Sequence, residues 1–411
     1  METLPVCSRM EALTGLRYCA AMTVILAHVA SNEVVYDYDL LVGLSTVGMP
    51  LFFTLSGFLM CYNYYGDFAA RRPGSLWRFV AARFARIYPA YLLALLLSFS
   101  FMGNFFHDLQ DRPRETMRCL ACVGTLTQSW FFRPVFVDSH NPRTIAQAYL
   151  GVAWSVSTEV FFYASFPLIV PVLKRLSRPR SILACATVIW LSYAAFDLWY
   201  LQGADDFWKV LNNNSKARWL LNYSPYGRIG EFWIGCLAGR LFGLMAHRPA
   251  SALAARFGAM ATWCCPAALL ALTAQVDEHW VADRLHLNIG LAPLCGLLIF
   301  CLARYRSGLE RLLASRPLVI LGECSYSLFL LHPLIQSVYL PRTHGEDELT
   351  TWDIVTYNHL MMLIVLHLLA LGFHQYWELP MRTNLRRWLS GRETPISPVP
   401  ADAAPVVARA A

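Results

Sequence analysis

Apolar stretches long enough to cross a lipid bilayer recur along this chain from end to end, and that recurrence limits what it can fold into. Candidate spans fall near residues 13–31, 43–62, 87–103, 152–173, 182–201, 225–245, 257–275, 286–303, 318–340 and 355–377. In hydrocarbon, each backbone N–H and C=O needs a partner within the protein, which leaves helices or a closed barrel as spanning structures. Barrel strands would read as short alternating segments, whereas these runs are continuous. Charged residues make up only 15% of the 411 residues, against about 25% in an ordinary soluble domain. The chain is therefore expected to be all-α, a polytopic transmembrane bundle of about ten spans.

Loop charge predicts the topology. Arg71, Arg72, Arg78, Arg83 and Arg86 form one basic cluster, and Lys174, Arg175, Arg178 and Arg180 form a second. Others lie at 240–256 and 304–316 and, after the last span, at Arg382, Arg386 and Arg387, whereas the loops 32–40, 276–284 and 341–354 are acidic. About ten crossings with both termini cytoplasmic put every basic cluster inside. The short apolar segment "MRCLACVGTLTQSWFF" at 117–132 would invert everything after it if it crossed, so it is expected to dip in and return. The first run resembles a signal peptide, but Arg17 interrupts it and further spans follow, so no cleavage is expected. Residues 1–390 read as the membrane-embedded unit, and the Pro/Ala-rich 391–411 as a disordered cytoplasmic tail. The net charge of +7 sits in membrane-flanking clusters, and no nucleic-acid partner is expected. Cys119 and Cys122 have no second ligand pair nearby, so no metal is expected.

Ionisable residues inside a membrane cost about 2.5–3.5 kcal/mol each on insertion scales, so each requires a partner or a task. Arg17 and His28 are eleven residues apart on one predicted helix, hence on nearly the same face and about 16 Å apart along its axis. Snorkelling to the interface explains either alone but not their common direction. Arg83 and Arg86 share a face where the chain enters the membrane. They read either as positive-inside anchors or as a mouth for a phosphate-bearing substrate, whose oxygens match the guanidinium fork. Glu159 lies among aromatics, and its natural partners are the intramembrane cations. Arg228 and Glu231, three apart, read as a same-helix ion pair. Glu323, His332 and Gln336 follow on the ninth span, His332 being either structural or part of the site. Cations at one depth and histidines at another describe a polarised path, suited to a transporter or to an enzyme that takes an activated donor from the cytosol.

The motifs narrow this choice. "LTGLRYCAAMTVILAH" resembles the Arg-x10-His signature of the acyltransferase 3 family of integral membrane acyltransferases. "GMPLFFTLSGFLM" is similar to its second-helix motif through Phe52, Phe53, Ser56, Gly57 and Phe58. "RFARIYPAY" matches through Arg83, Arg86, Tyr88 and Pro89, and "AWSVSTEVFFY" through Trp154, Ser155, Glu159, Phe162 and Tyr163. "LGECSYSLFLLH" supplies Ser325, Tyr326 and His332. The five blocks stand in family order. Where the family usually has Asp, this chain has Thr14, and the hydrolase-like extracytoplasmic domain that many members carry is not expected here.

The resemblance implies transfer of an acyl group, most often acetyl, from acyl-CoA to a hydroxyl. Acyl-CoA is then a co-substrate and no cofactor is held permanently. Arg83, Arg86 and Tyr88 are expected to bind the donor at the cytoplasmic mouth. His28 is expected to act as general base, given an ordinary pKa of about 6.5, or as a transient acyl carrier. Arg17 would position the donor or stabilise negative charge, and Glu159 would orient a histidine. Trp154, Ser325, Tyr326 and His332 are assigned to the acceptor side or to structure, and Trp130 and Trp219 are further candidates for stacking on sugars. The expected acceptor is a carbohydrate or glycolipid, such as an exported polysaccharide or lipo-oligosaccharide, at the plasma (inner) membrane. The alternatives are a glycosylated natural product such as a macrolide and, from another class, a transporter or flippase without covalent chemistry.

Overall fold

The structure is a computed structural model that describes residues 6–30, 38–101, 105–135, 143–201, 215–246, 248–273, 289–339 and 352–390. The tail, the three acidic loops over most of their length and parts of 104–151 and 203–224 lie outside these residues. The helices are α1 (Val6–Ala30), α2 (Tyr38–Ala69), α3 (Ser75–Phe101), α4 (Phe105–Asp111) and α5 (Pro113–Gly124), then α6 (Trp154–Arg175), α7 (Pro179–Leu201), α8 (Pro225–Met245) and α9 (Ala252–Thr273). After them come α10 (Ala292–Arg304), α11 (Gly308–Leu313), α12 (Arg316–Glu323), α13 (Ser325–Tyr339), α14 (Trp352–Phe373) and α15 (Leu379–Ser390). The described residues include one small ladder, in which β1 (Pro134–Val135) pairs antiparallel with β2 (Arg143–Thr144).

Among the described residues, six helices are long and apolar enough to cross a membrane, and a seventh span forms if α12 and α13 count as one. Their outer faces carry large apolar side chains in the open, with Leu168 78% exposed, Trp199 68% and Leu368 64%. Water would penalise such a surface, and lipid does not. Helix α8 falls outside the apolar set because it carries Arg228, Glu231 and Arg240, yet it lies at the centre of the bundle, with Phe232 and Cys236 fully buried.

Small residues hold that centre together. A Cβ on Gly57 of α2 would lie 2.1 Å from the Phe232 carbonyl oxygen, and one on Gly235 of α8 would lie 1.9 Å from that of Thr54. Lipid supplies no hydrophobic drive between helices, so close backbone approach of this kind has to supply van der Waals contact instead. The same device joins α1 to α12, where Gly322 packs on the carbonyl of Thr14. Thr14, the departure from the family pattern, thus sits at a helix contact and bonds back to Met10 of its own helix.

The 117–132 segment contains a short helix after which the chain reverses. α5 has twelve residues, about 18 Å of helix against a hydrocarbon core of about 30 Å. Its C-terminal carbonyls are met by α3, where Tyr88 donates to Gly124 O at 3.1 Å and Tyr91 to Val123 O at 2.7 Å. The chain reverses at Leu126, which adopts the left-handed conformation (φ 55°). It then runs along α6, with Ser129 Oγ 2.8 Å from Ser157 Oγ and Gln128 donating to Ala153 O at 3.2 Å. Irregular backbone is tolerated at such depth only when protein satisfies it, as it does here.

Two breaks in helical geometry differ from the sequence expectation. The stretch 318–340 is not one straight span, because α12 and α13 meet at 63° around Cys324. After α14, residues His374–Glu378 form a π-helical turn before α15. Beside the core, Arg228 and Glu231 form the expected same-helix pair at 3.2 Å, 2% and 0% exposed, with the Arg228 guanidinium 5.3 Å from the Phe53 ring centroid. Arg228→Met alone would leave the Glu231 carboxylate buried and is expected to destabilise the protein by about 3–5 kcal/mol. Arg228→Met with Glu231→Leu should recover most of that loss, as read by thermal unfolding in detergent.

Candidate functional site

A cleft of about 780 Å³ opens between α1, α2, α3, α6 and α13. Its walls carry residues from all five sequence blocks, among them Arg17, Ser56, Arg83, Arg86, Glu159 and Tyr326. Each helix contributes a residue at its own depth, and the depths agree. Arg17, Arg83, Arg86, Ser325 and Tyr326 mark one end. Phe52 and Phe329, 6.1 Å apart edge to face, mark the other.

Three cations stand at the polar end. Arg83 Nη2 donates to Tyr64 OH at 2.7 Å, and the guanidinium lies 5.0 and 5.6 Å from the ring centroids of Tyr64 and Tyr163. Two tyrosine faces thus fix the plane of the fork. Arg83 Nε is buried without a hydrogen-bond acceptor among the described residues, a vacancy that an anionic oxygen would fill. Arg17 interacts electrostatically with Arg86, Glu159 and Tyr163.

Among the described residues Glu159 bonds to hydroxyl groups, not to a histidine. Its Oε1 accepts from Ser56 Oγ at 3.0 Å and from Tyr163 OH at 2.5 Å. The carboxylate therefore ties α6 to α2 and lies within the field of Arg17. Sequence reasoning had named Glu159 without its partners, because Ser56 is 103 residues away.

The histidines orient each other. His28 Nδ1 lies 2.9 Å from His332 Nε2, and the rings are nearly parallel at 12°. His332 Nδ1 is 2.7 Å from the Phe329 carbonyl oxygen, which can only accept, so this nitrogen carries a proton. With both rings neutral, His332 Nε2 is then an acceptor and His28 Nδ1 the donor. The basic nitrogen of His28 is consequently Nε2. Gln336 clamps the arrangement by donating to the His28 carbonyl at 2.6 Å. His332, 1% exposed, packs on Phe329 with ring centroids 5.7 Å apart, so the pair stands one turn beyond the aromatic end of the cleft.

The remaining candidates make contacts of their own, and of them Ser325 and Tyr326 also line the cleft. Tyr88 OH is engaged by Gly124 and Tyr326 OH by Ile87 O at 3.1 Å. Ser325 bonds to Gly322 O within its own chain segment. The Trp154 ring packs on Phe53 and Tyr223. Trp130 and Trp219 spend their indole N–H groups on Ser157 O and Ser129 O, holding the segment after α5 against α6. Among the described residues, no group of three His, Cys, Asp or Glu side chains is placed to hold a metal.

Known proteins resemble this chain over most of its length. Acyltransferase MdmB of Streptomyces mycarofaciens is 25% identical over 98% of this chain and 98% of its own length. O-acetyltransferase OatA of Staphylococcus aureus is 22% identical over 91% of this chain, which spans 57% of OatA. Protein 2 in the picA locus of Rhizobium radiobacter is 28% identical over 38% of this chain and 81% of its own length. No solved structure matches. Residues 10–366 match the profile of the acyltransferase 3 family, described as an acyltransferase domain. This chain is a member of the acyltransferase 3 family, and its long apolar helices mark it as a membrane protein.

Proposed function

We propose that this protein moves an acetyl group from acetyl-CoA, bound from the cytoplasmic side, to a hydroxyl of a carbohydrate or glycolipid acceptor at the plasma membrane. The observation that carries this reading is a cleft with guanidinium groups at one end and a histidine pair, its tautomers set by hydrogen bonds, just past the other. The phosphates of coenzyme A are too charged to enter hydrocarbon, so they stay with Arg83 and Arg86. The uncharged pantetheine arm lies along the apolar walls and brings the thioester toward Phe52 and Phe329. No cofactor is held permanently. About ten crossings with both termini cytoplasmic would put the cationic end at the cytosol.

In this mechanism His28 Nε2 takes the proton of the acceptor hydroxyl as its oxygen attacks the thioester carbonyl. Arg17, about 16 Å from His28 along α1, belongs to the donor end of the cleft and serves there to position the donor. Collapse of the tetrahedral adduct breaks the C–S bond, and the imidazolium returns its proton to the departing thiolate. His332 stabilises the charged intermediate state of His28 by holding its Nδ1–H. Replacing His332 by Ala is expected to lower kcat about 10- to 100-fold, the value of one hydrogen bond to a group that becomes charged, with KM for acetyl-CoA unchanged. His332→Gln, which keeps an acceptor, should retain more activity than His332→Ala in the same steady-state assay.

Purified protein, labelled acetyl-CoA and two acceptor classes test the reading. Label in an alkali-labile ester on the polysaccharide or lipo-oligosaccharide is the expected result. Label on a macrolide alone would replace the acceptor class and keep the chemistry. Absence of ester on either, with label crossing the membrane of vesicles, would identify a transporter instead.

A further inference from the structure

The C-terminal segment 374–390 lies beyond the part of the chain that matches the family, and sequence charge alone assigns its arginines to the cytoplasmic side. The structure gives one of them a more specific place. α15 runs antiparallel along α3 and is fastened at two points: Trp77 Nε1 donates to Leu389 O at 2.9 Å, and Trp377 Nε1 donates to Pro89 O at 3.1 Å. The anchors are twelve residues apart on each strand of this pair, 77 to 89 and 377 to 389, so the two helices keep a common register. Position 382 is then level with position 84, between Arg83 and Arg86.

Arg382 does not itself line the cleft, but its surroundings fit that placement beside Arg83 and Arg86. It is half-buried, whereas its neighbours Arg387 and Trp388 are exposed. It interacts electrostatically with Arg86 and Arg83, and it also reaches Arg17 on the opposite wall of the cleft. The carboxylate one turn before it, Glu378, is 4% exposed and already accepts from Ser327 Oγ at 2.6 Å and pairs with His374 Nδ1 at 3.0 Å. Among the described residues, none of Arg17, Arg83, Arg86 and Arg382 is in an ion pair. Four guanidinium groups on three helices outnumber the two carboxylates that act on them, Glu159 and Glu378, and a polyanion is the ligand that this excess of positive charge attracts.

We propose that Arg382 is a donor-binding residue, closing the phosphate site of the cleft from the α15 side together with Arg83 and Arg86. The proposal rests on the acyl-CoA reading above and adds to it the class of contact: the guanidinium fork takes the diphosphate or 3′-phosphate of the nucleotide end. The π turn at His374–Glu378 has a role in this placement. Its extra residue re-aims the helix that follows, while Glu378 locks the turn to Ser327 on α13.

The full-length protein in detergent, titrated with adenosine 3′,5′-bisphosphate and with acetyl-CoA, tests the assignment. Arg382→Gln is expected to weaken binding of both at least about tenfold, as loss of a charge-assisted contact does. Arg387→Gln, on the exposed face, should bind as the wild type does. Turnover of acetyl-pantetheine, which lacks the phosphates, should be equal in the wild type and Arg382→Gln. If Arg382→Gln does not fold, Arg382→Lys decides: it should fold and bind a fewfold more weakly. Unchanged binding in the variants while the wild type binds acetyl-CoA would overturn the role of Arg382 alone. Failure of the wild type to bind either probe would overturn the donor reading, and Arg382 with it.

Discussion

His28→Ala is expected to fold normally, bind acetyl-CoA with unchanged affinity, and transfer acetyl at a rate lower by about 10²–10⁴-fold, the usual worth of a general base. Donor binding should survive because His28 does not line the cleft; it stands one turn past Phe329, on the far side from Arg83 and Arg86. The fold should survive because the side chain makes a polar contact with His332 near the end of α1 and is only half-buried. Removing it does leave His332 Nε2 without its donor, a cost of about 1–3 kcal/mol. His28→Gln separates the two roles, since its amide can donate to His332 but cannot take a proton. It should restore stability and leave activity as low as in His28→Ala. The comparison is made by single-turnover rates beside equilibrium binding of acetyl-CoA.

Gly235→Val is expected to prevent assembly of the bundle. Even the Cβ of an alanine would stand 1.9 Å from the Thr54 carbonyl oxygen and 2.9 Å from Phe58 N, and both of these are backbone atoms that no rotamer change can move aside. The reciprocal contact, Gly57 on the Phe232 carbonyl, lies in the same interface, so the helices cannot pivot around one site without closing on the other. α2 would have to leave α8, taking with it Phe52, Phe53 and Ser56 of the cleft and the Ser56–Glu159 bond. Overpacking in cores usually costs about 1–3 kcal/mol, and a backbone-to-backbone clash of this depth exceeds that range. The expected observation is loss of monodisperse protein in detergent. Gly243→Ala, on the same helix as Gly235 with nothing near its added Cβ, should remain folded.

How far the sequence could be read depends on the distance over which each interaction acts. The long apolar helices and the residues that line the cleft follow from local pattern and motif, and Arg17, Ser56, Arg83, Arg86, Glu159 and Tyr326 do converge. Partners are a different matter. His28 and His332 are 304 residues apart, and nothing in either segment states that Nδ1 of one meets Nε2 of the other. The charge pattern points Glu159 at the intramembrane cations, and it does interact with Arg17, but its bonds to Ser56 and Tyr163 follow only from the packing of α6 on α2. Trp130 and Trp219 read as sugar platforms because aromatic belts and structural tryptophans look alike in sequence, and only the structure shows their N–H groups bonded to backbone. Arg382 was hidden by its surroundings, one basic residue in a cluster whose charge already had an explanation. The 63° bend at Cys324 and the π turn after α14 leave no mark in hydropathy at all.

The central claim is that the cleft delivers a thioester to a hydroxyl activated by His28. Free coenzyme A thiol, measured on the purified wild-type chain with acetyl-CoA in the presence and absence of the carbohydrate acceptor, tests it most directly. The account predicts thiol release that rises with acceptor concentration, in equal amount to the ester formed, and is lost in His28→Ala. Thiol release that ignores the acceptor, or persists in His28→Ala, would contradict it.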